Sequence, residues 1–402
     1  MVAAAGALTF ALPNFVGELF SLTPTETPFL SMIGGLTGGR SQPQTRISWQ
    51  TETNTAASIP SFVEGDDTTF AQIGRTEVIN ATQIFQYGVE LSYTKQGAYG
   101  NLGDWSTRVW SATGDQPVKD ELAHQLMLKL RRAAYDMELA FLTGTLANPV
   151  ANTARQTAGL ATVVTTNTVN NGTAAVGTTW DFDFTGGAQE DLWTTAAAHG
   201  LVVGDEIQFT TAEAAPAEYV AATSYWVVAV PLATTVQLSA TKGGAVLAGT
   251  ADATAGNWVA QKQNDLTKAN IDSAMKQMAD SGAPFTSPVI LANSWNKQMF
   301  SSIYGYAPED RTLGGVNINT VMTDFATVGV VYDRYVPTDT VFIVDVSECA
   351  PVFMPIPGKG HFFVEPIAKA GAYDRFQLYG EAGLEYGAEQ HHAVITGVTS
   401  ES

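Results

Sequence analysis

The segment that decides the fold reads Thr23-Pro-Thr-Glu-Thr-Pro-Phe-Leu-Ser-Met-Ile-Gly-Gly35, and it leads into a polar extended region and then one long helical pattern. The helical pattern covers residues 117–143, with Pro117 acceptable in the first turn and Gly144 placed to end the helix. Its apolar residues recur every three or four positions, which predicts one buried stripe on a helix about 40 Å long. They are Val118, Leu122, Leu126, Leu130, Ala133, Met137 and Phe141.

Residues 1–45 have the composition of an arm that packs on another surface. Four prolines and two Gly-Gly pairs interrupt any long helix there. Large apolar side chains give the segment more hydrophobic content than a free tail usually has. We expect Phe15, Phe20 and Phe29 to contact a neighbouring subunit, and packing on the chain's own domain is the alternative.

Residues 46–100 alternate between apolar and polar positions, a pattern that predicts strands. The predicted arms are 47–57 and 83–93, and the polar middle carries Glu64-Gly-Asp-Asp67 at its tip. This order predicts a long hairpin, which gains stability by lying on an adjacent molecule because it has little to bury alone. The aromatic residues expected to make those contacts are Trp49, Phe62, Phe70 and Phe85.

Residues 169–264 are rich in Thr, Ala and Gly and contain short strand-like bursts at Leu201–Phe209, Tyr225–Val230 and Thr235–Leu238. Nine acidic residues stand there against two lysines, an excess of seven negative charges. The pattern predicts a small all-β domain with an acidic surface.

After this region, helical patterns return at Thr267–Ser281 and Ser294–Tyr304. Strand patterns follow at Thr327–Tyr335, Thr340–Val346 and Phe376–Tyr386. Helices mixed with strands, without regular βαβ alternation, predict an α+β core.

Composition limits the possible functions. A chain of 402 residues with 45% hydrophobic residues is long enough for two or three packed domains. Its 39 acidic and 20 basic residues give a formal charge of −19, which disfavours nucleic-acid binding through the phosphate backbone. Such a chain can still line a container around nucleic acid. The apolar N-terminus lacks a basic region and is interrupted by Pro13 and Glu18, so we expect a soluble protein of a reducing cytoplasm with no membrane partner.

The residues with chemical potential favour no catalytic site. The lone Cys349 excludes an intrachain disulfide framework, and we interpret it as a small buried hydrophobe. His391 and His392 are adjacent, would point to opposite faces of a strand, and are expected to be a solvated pair and not metal ligands. No phosphate-binding loop or nucleophile elbow is recognisable. We therefore predict no enzyme, no cofactor and no metal.

Several segments resemble the major head proteins, or major capsid proteins, of tailed bacteriophages. They are Thr23–Gly35, Trp49–Thr53, Asn80–Phe85 with its continuation to Gly100, and the helix Glu121–Leu142. The resemblance covers about 1–165 and, more weakly, 265–395. It implies an N-terminal arm, an extended loop, a peripheral domain with a spine helix and an axial domain, to which this chain adds the inserted all-β domain. The implied division is 1–45 arm, 46–100 extended loop, 101–168 peripheral domain with the spine helix 117–143, 169–264 insertion, 265–375 axial domain, and 376–402 return to the peripheral domain.

The resemblance also implies function and partners. Subunits of this family self-assemble as hexamers and pentamers into an icosahedral shell, a T-number lattice, around double-stranded DNA. The chain would belong to the virion and assemble in the host cytoplasm, and it would face packaged DNA without specific binding. Some relatives begin with a scaffolding region, whereas this sequence leads directly into its arm, so a separate scaffolding protein and a portal are expected partners. Some relatives also crosslink through a loop lysine, but 46–94 has none and Lys95 lies at the base, so we expect no crosslink.

Two other classes stay open. An encapsulin-like compartment would use the same fold to hold an enzyme, although the large insertion weighs against it. A secreted carbohydrate-active or adhesin-like β protein would suit the Thr/Ala/Gly-rich middle. The long helix and the missing signal peptide weigh against that class.

Overall fold

The fold was obtained as a computed structural model. The structure describes residues 26–53, 57, 59, 61–65, 67, 72–93, 121–148, 150, 153–174, 180–183, 191–211, 216–249, 258–304, 309–313, 316–368 and 371–400. The chain divides into two compact units. The first unit takes its described residues mainly from 26–163 and 346–388, and the second from 164–313, 317–345 and 389–400.

The described helices are α1 Pro28–Ile33, α2 Glu121–Thr143, α3 Leu160–Val163, α4 Lys268–Asp280 and α5 Ser294–Tyr304. Three of these five, α2, α4 and α5, match the predicted helical patterns, whereas the short helices α1 and α3 were not predicted. The predicted long helix is confirmed from Glu121 onward, while 117–120 lie outside the described residues. Gly144 ends α2 as predicted, because a Cβ there would lie 2.4 Å from the carbonyl oxygens of Ala140 and Thr157.

The strands form three larger sheets and one hairpin. In chain order they are β1 Arg40–Ser41, β2 Arg46–Glu52, β3 Arg75–Ala81, β4 Gln83–Ser92, β5 Thr168–Asn170, β6 Thr173–Ala174, β7 Trp180–Asp183, β8 Leu192–Thr195, β9 Glu206–Thr211, β10 Ser224–Leu232, β11 Thr235–Ser239, β12 Val259–Lys262, β13 Pro288–Ala292, β14 Glu309–Leu313, β15 Val316–Met322, β16 Thr327–Tyr332, β17 Thr340–Asp345, β18 Ala350–Phe353, β19 Phe362–Ile367, β20 Tyr373–Glu385 and β21 Ala393–Thr396. Helices and strands are thus mixed, as the α+β prediction requires.

The first unit is built on the 13-residue strand β20. β20 pairs with β4, β18 and β19, and β1 pairs in turn with β18. The helix α2 lies on this sheet, with Ala133, Met137 and Phe141 fully buried. The sheet carries the hairpin β2–β3, whose strands pair over their whole length from Arg46↔Ala81 to Glu52↔Arg75.

The return arm of the hairpin differs from the sequence prediction. We expected 83–93 to pair back on 47–57, but β3 does so instead, and β4 pairs with β20. Thr82 separates β3 from β4, and its N–H donates a hydrogen bond to the carbonyl of Thr45. Alternating patterns run through both β3 and β4, and a period of two reveals a strand without naming its partner.

The second unit contains a mixed seven-stranded sheet in the order β14-β15-β16-β13-β17-β21-β5. Its central strands β13 and β17 are buried on both faces. The helix α4 packs here through Ile271, Ala274, Met275 and Met278, all fully buried. This core contains no exposed strand face at its centre, which is typical of strands covered on both sides.

The second unit also contains an antiparallel seven-stranded sheet in the order β6-β12-β9-β10-β11-β8-β7, entirely from residues 173–262. Its core is aromatic: Trp180, Phe182, Trp193, Phe209, Tyr219, Tyr225 and Trp258. Trp193 lies at its centre, with ring centroids of Phe209 at 4.7 Å and Trp258 at 5.1 Å. The strands expected at 225–230 and 235–238 are confirmed.

One predicted strand in this sheet begins later than expected. The pattern Leu201–Phe209 predicts a single strand, but β9 starts at Glu206. Gly204 adopts φ +97°, and its N–H bonds the carbonyl of Val227, so the chain turns there. The Asp205 carboxylate also accepts the N–H of Val202 at 2.9 Å and closes the turn.

The boundaries of the two units differ from the division into axial and peripheral domains made above. Residues 346–388 fold with the first unit, and 389–400 return to the second. The cause is pairing with β20: β18 and β19, which lie near it in sequence, and β4, almost 300 residues earlier, all pair with it. The assignment of these parts to capsid domains stays a prediction.

Candidate assembly surfaces

The hairpin stem is held by backbone pairing and by exposed cross-strand ion pairs. Arg46 lies 3.3 Å from the Glu77 carboxylate, and Arg75 lies 3.4 Å from that of Glu52. All four side chains are more than half exposed, so each pair contributes about 0–1 kcal/mol. The stem therefore depends on what it contacts at its base.

The base of the hairpin is anchored by Trp49. Its indole N–H donates to the Gly387 carbonyl at 2.6 Å, and its ring meets Tyr386 edge-on with centroids 4.7 Å apart. Ile47, on the same strand, is 1% exposed. Trp49 was predicted as a contact to a neighbouring subunit, and here it fixes the hairpin on its own sheet.

The outer part of the hairpin exposes large apolar side chains. Ile59 is 97% exposed, Phe62 75% and Val63 77%. Soluble proteins seldom leave such a cluster uncovered unless it contacts a partner. Of the aromatic residues predicted to contact a neighbour, Phe62 has an accessible side chain. Phe70 lies outside the described residues.

The inner end of the arm is fixed by a buried carboxylate. Glu138 of α2 is 0% exposed and accepts the N–H groups of Phe29 at 2.8 Å and Leu30 at 2.6 Å. These N–H groups open α1, where a helix has no backbone acceptors of its own. Glu138 therefore caps one helix from another and fixes the place where the preceding chain leaves.

This arrangement bears on the predicted arm contacts. Phe29 is 0% exposed within its own chain, in agreement with the alternative that this part of the arm packs on its own domain. Phe15 and Phe20 lie outside the described residues, so their contact with a neighbour stays a prediction. Sequence reasoning missed Glu138, although a carboxylate directly beside the apolar stripe residue Met137 is a usable signal.

The spine helix buries only part of its predicted stripe. Ala133, Met137 and Phe141 are fully buried, whereas Leu130 is 38% exposed and the adjacent Met127 44%. The amino-terminal half of α2 is left as an apolar surface.

The predicted contact residue Phe85 lies on β4, is 3% exposed and thus packs within its own unit.

A groove of about 580 Å³ runs between α2 and β4. At one end the Tyr87 hydroxyl donates to the Asp136 carboxylate at 2.7 Å, and Arg132 Nε donates to the same group at 3.0 Å. Burial, then the hydrogen bond to Asp136, raises the pKa of Tyr87 above its ordinary value. The charges of Arg132 and Asp136 in the groove are therefore paired with each other.

A second polar cluster lies inside the first unit. The guanidinium of Arg155 forms a buried ion pair with Glu381, which also accepts the Tyr379 hydroxyl. Burial, then the bond to Glu381, raises the pKa of Tyr379 to about 12. The Arg155 guanidinium and the Tyr379 hydroxyl are both paired with the Glu381 carboxylate, so the cluster stabilises the unit.

The histidine pair differs from its prediction. His392 is 0% exposed, and its Nδ1 accepts the Asp345 N–H at 3.3 Å, so the expectation of a solvated pair is wrong for this residue. The prediction failed because His391 ends a 3-10 helix at Glu389–His391 and the strand begins only at Ala393, so the two histidines do not alternate along a strand. Among the described residues no cluster of three or more His, Cys, Asp or Glu side chains is placed to hold a metal ion.

Cys349 is 5% exposed, as its interpretation as a buried hydrophobe predicts. Within the described part of the chain, no helix has the length and apolar content to cross a membrane.

The fold was compared with known proteins. The capsid asymmetric unit of cyanophage A-1(L) is similar, with a TM-score of 0.53 and 11% identity over 96% of this chain and 97% of that one. The encapsulin SrpI from Synechococcus elongatus PCC 7942 gives a TM-score of 0.47 at 10% identity, covering 97% and 93% of the two chains. The capsid of Myoviridae phage XM1 gives 0.47 at 9% identity, covering 95% of each.

No curated protein sequence matches the chain. The family model described as SU10 major capsid protein matches residues 3–399. That match spans nearly the whole chain, including both units and the seven-stranded sheet of 173–262. The chain therefore belongs to the SU10 major capsid protein family.

Proposed function

We propose that this chain assembles as hexamers and pentamers into an icosahedral shell that encloses double-stranded DNA. The observation that carries the proposal is the family match over residues 3–399. The role is structural, and we infer no catalytic activity. The shell is the capsid of a virion and assembles in the host cytoplasm.

The exposed apolar surfaces support assembly through many modest contacts. Two such surfaces of the first unit are the hairpin tip with Ile59, Phe62 and Val63 and the exposed part of α2 with Met127 and Leu130. Burying apolar area favours association by roughly 25 cal/mol per Å², before the entropic costs of binding. A lattice repeats each contact many times, so small contributions suffice.

The sheet of residues 173–262 has its own aromatic core, which supports its interpretation as an inserted module. We propose that it projects from the shell as a surface or intercapsomer domain. Its strands pair only with one another among the described residues, so such a module can be carried without rebuilding the rest of the fold.

The partners follow from the shell function. With a net charge of −19 the chain faces packaged DNA without binding it tightly, because few cations are available to replace the counterions of DNA. A separate scaffolding protein would set the curvature during assembly, and a portal would occupy one vertex.

The proposal is tested by electron microscopy and sedimentation of the expressed protein, alone and with a co-expressed scaffolding protein from the same phage. Closed shells or capsomer rings of uniform diameter are expected. A monomer that persists in both preparations contradicts the shell function. Particles that contain a cargo enzyme instead of DNA would identify the encapsulin-like alternative.

A further inference from the structure

Within the part of the chain that the structure describes, the strand β4 is paired along one edge only. That edge pairs with β20 over the whole strand, from Gln83 opposite Ala382 to Ser92 opposite Tyr373. No other described strand pairs with β4. Over Gln83–Glu90 the backbone N–H and C=O groups of the second edge are therefore paired with no described strand. Proteins usually cover such an edge, because it is a template for pairing with another chain.

The groove between α2 and β4 follows this edge. It is lined by all five residues from Gln83 to Tyr87. Successive residues of a strand point to opposite faces, so a hollow that touches five in a row runs along the backbone and not over one face. The opposite wall is α2, with Asp136, Leu139 and Thr143. The groove has the layout that accepts an added strand.

The chemistry of the groove selects an uncharged occupant. Arg132 and Asp136 are hydrogen-bonded to each other, so neither charge calls for a counter-charge in the occupant. Ile84 and Leu139 are 43% and 45% exposed and provide apolar contact on both walls. An extended segment with alternating apolar residues and no charge fits these conditions.

The chain carries one such segment before its described part. Ala7-Leu-Thr-Phe-Ala-Leu12 places Leu8, Phe10 and Leu12 on one face of a strand, and Pro13 ends the alternation. The first charged side chain of the sequence is Glu18. From Leu12 to Glu26 an extended chain spans up to roughly 50 Å, so the segment can reach another molecule.

The position of α1 favours a second copy as the donor. Glu138 holds α1 on one face of α2, and Asp136, Leu139 and Thr143 lie roughly 100–160° away from Glu138 around that helix. The start of α1 therefore lies on the side of α2 away from the groove. We propose that Ala7–Leu12 of a second copy pairs with the free edge of β4 and fills the groove, an inference that rests on the proposed shell assembly.

Disulfide trapping tests the proposal, since the native Cys349 is buried. Particles are assembled from a mixture of two single variants, Thr9→Cys and Ile84→Cys, and oxidised. The matched control replaces Ile84→Cys with Val364→Cys, because Val364 is 44% exposed and lies on β19 of the same sheet. We expect several-fold more crosslinked dimer with Ile84→Cys than with the control. Equal yields overturn the proposal.

A double variant, Thr9→Cys with Ile84→Cys, assigns the donor. Crosslinked dimers and longer chains are expected, whereas a monomer with an internal crosslink would show that each arm fills its own groove and contradict the proposal.

A second measurement needs no substitution. Amide hydrogen exchange at Gln83–Tyr87 is expected to be slower in wild-type particles than in dissociated subunits, and an unchanged rate there counts against the added strand. Particles that form without crosslink or protection refute this inference alone, while a chain that forms no particles refutes the shell function as well.

Discussion

The two units treat their apolar side chains differently. Of the 21 large hydrophobic side chains that are exposed among the described residues, 14 lie in the first unit and seven in the second. The first unit leaves the outer part of the hairpin, several residues of α2 and the second half of β19 exposed. The second buries its apolar residues in two closed clusters.

The difference indicates which unit buries most of its apolar surface without a neighbouring molecule. The second unit buries its apolar residues in two clusters, and four of its seven exposed large apolar residues lie outside strands. Exposed residues scattered singly are normal, but clusters indicate contact surfaces. We infer that neighbours in the lattice meet mainly through the first unit.

The largest expected effect concerns the aromatic core of the second unit. Trp193→Ala removes a fully buried ring that contacts Trp180, Phe209 and Trp258, and should lower the free energy of unfolding by about 3–5 kcal/mol. Calorimetry of the purified subunit measures this change. Val203→Ala, at a 63% exposed position, is the control and should change stability by less than about 0.5 kcal/mol. Similar effects from both substitutions would mean that this core is not closed.

The next effect concerns the anchor of the arm in the first unit. Glu138→Ala leaves two buried N–H groups without their acceptor and should cost about 3 kcal/mol. Glu138→Gln keeps one acceptor oxygen and should cost less. Denaturant unfolding measures both, with the exposed Glu90→Gln, expected to cost under about 1 kcal/mol, as the comparison. If Glu138→Ala behaves like Glu90→Gln, the cap does not hold α1.

Exposed apolar residues of the two units should differ in their effect on assembly but not on stability. Phe62→Ala should change the free energy of unfolding by less than about 0.5 kcal/mol, because the ring is 75% exposed. It should raise the subunit concentration needed for assembly by about tenfold, which corresponds to about 1.4 kcal/mol per contact. Phe325→Ala, 47% exposed in the second unit, should assemble normally. Light scattering across a concentration series compares the variants, and equal defects would remove the distinction between units.

The smallest effect is alkaline sensitivity. Burial raises the pKa of Tyr379 to about 12, whereas a tyrosine of the unfolded chain ionises near its ordinary value of 10.0. The unfolded state thus loses its proton first, and the stability provided by the neutral hydroxyl is complete below pH 10 and is lost as the pH rises toward 12. Tyr379→Phe should reduce this loss in alkaline unfolding experiments. An unchanged pH dependence would show that Tyr379 ionises normally in the folded chain.

Much of the secondary structure is predictable from the sequence, because it depends on local patterns. The helices α4 and α5 lie within one residue of the predicted bounds at each end. Their apolar periodicity and the glycines that follow act within a few residues. The capsid resemblance was likewise carried by the order of local segments, and the family match supports it.

Pairing between distant strands is not predictable in the same way. The sequence pattern of Phe376–Tyr386 predicts a strand, but nothing local shows that β20 pairs with β4 almost 300 residues earlier. The same holds for Phe29, whose burial depends on the remote carboxylate of Glu138. For this reason a Phe20→Ala variant tests arm contacts more cleanly than a double Phe20→Ala, Phe29→Ala variant, which would also disturb the subunit core.

A cryo-electron microscopy reconstruction of assembled particles, at a resolution that traces side chains, tests the shell assembly most directly. We expect a closed shell in which the hairpin tip, the exposed part of α2 and the edge of β4 lie at subunit contacts, with most of the buried area from the first unit. A shell held together mainly by the second unit, or the absence of any closed particle, would contradict this expectation.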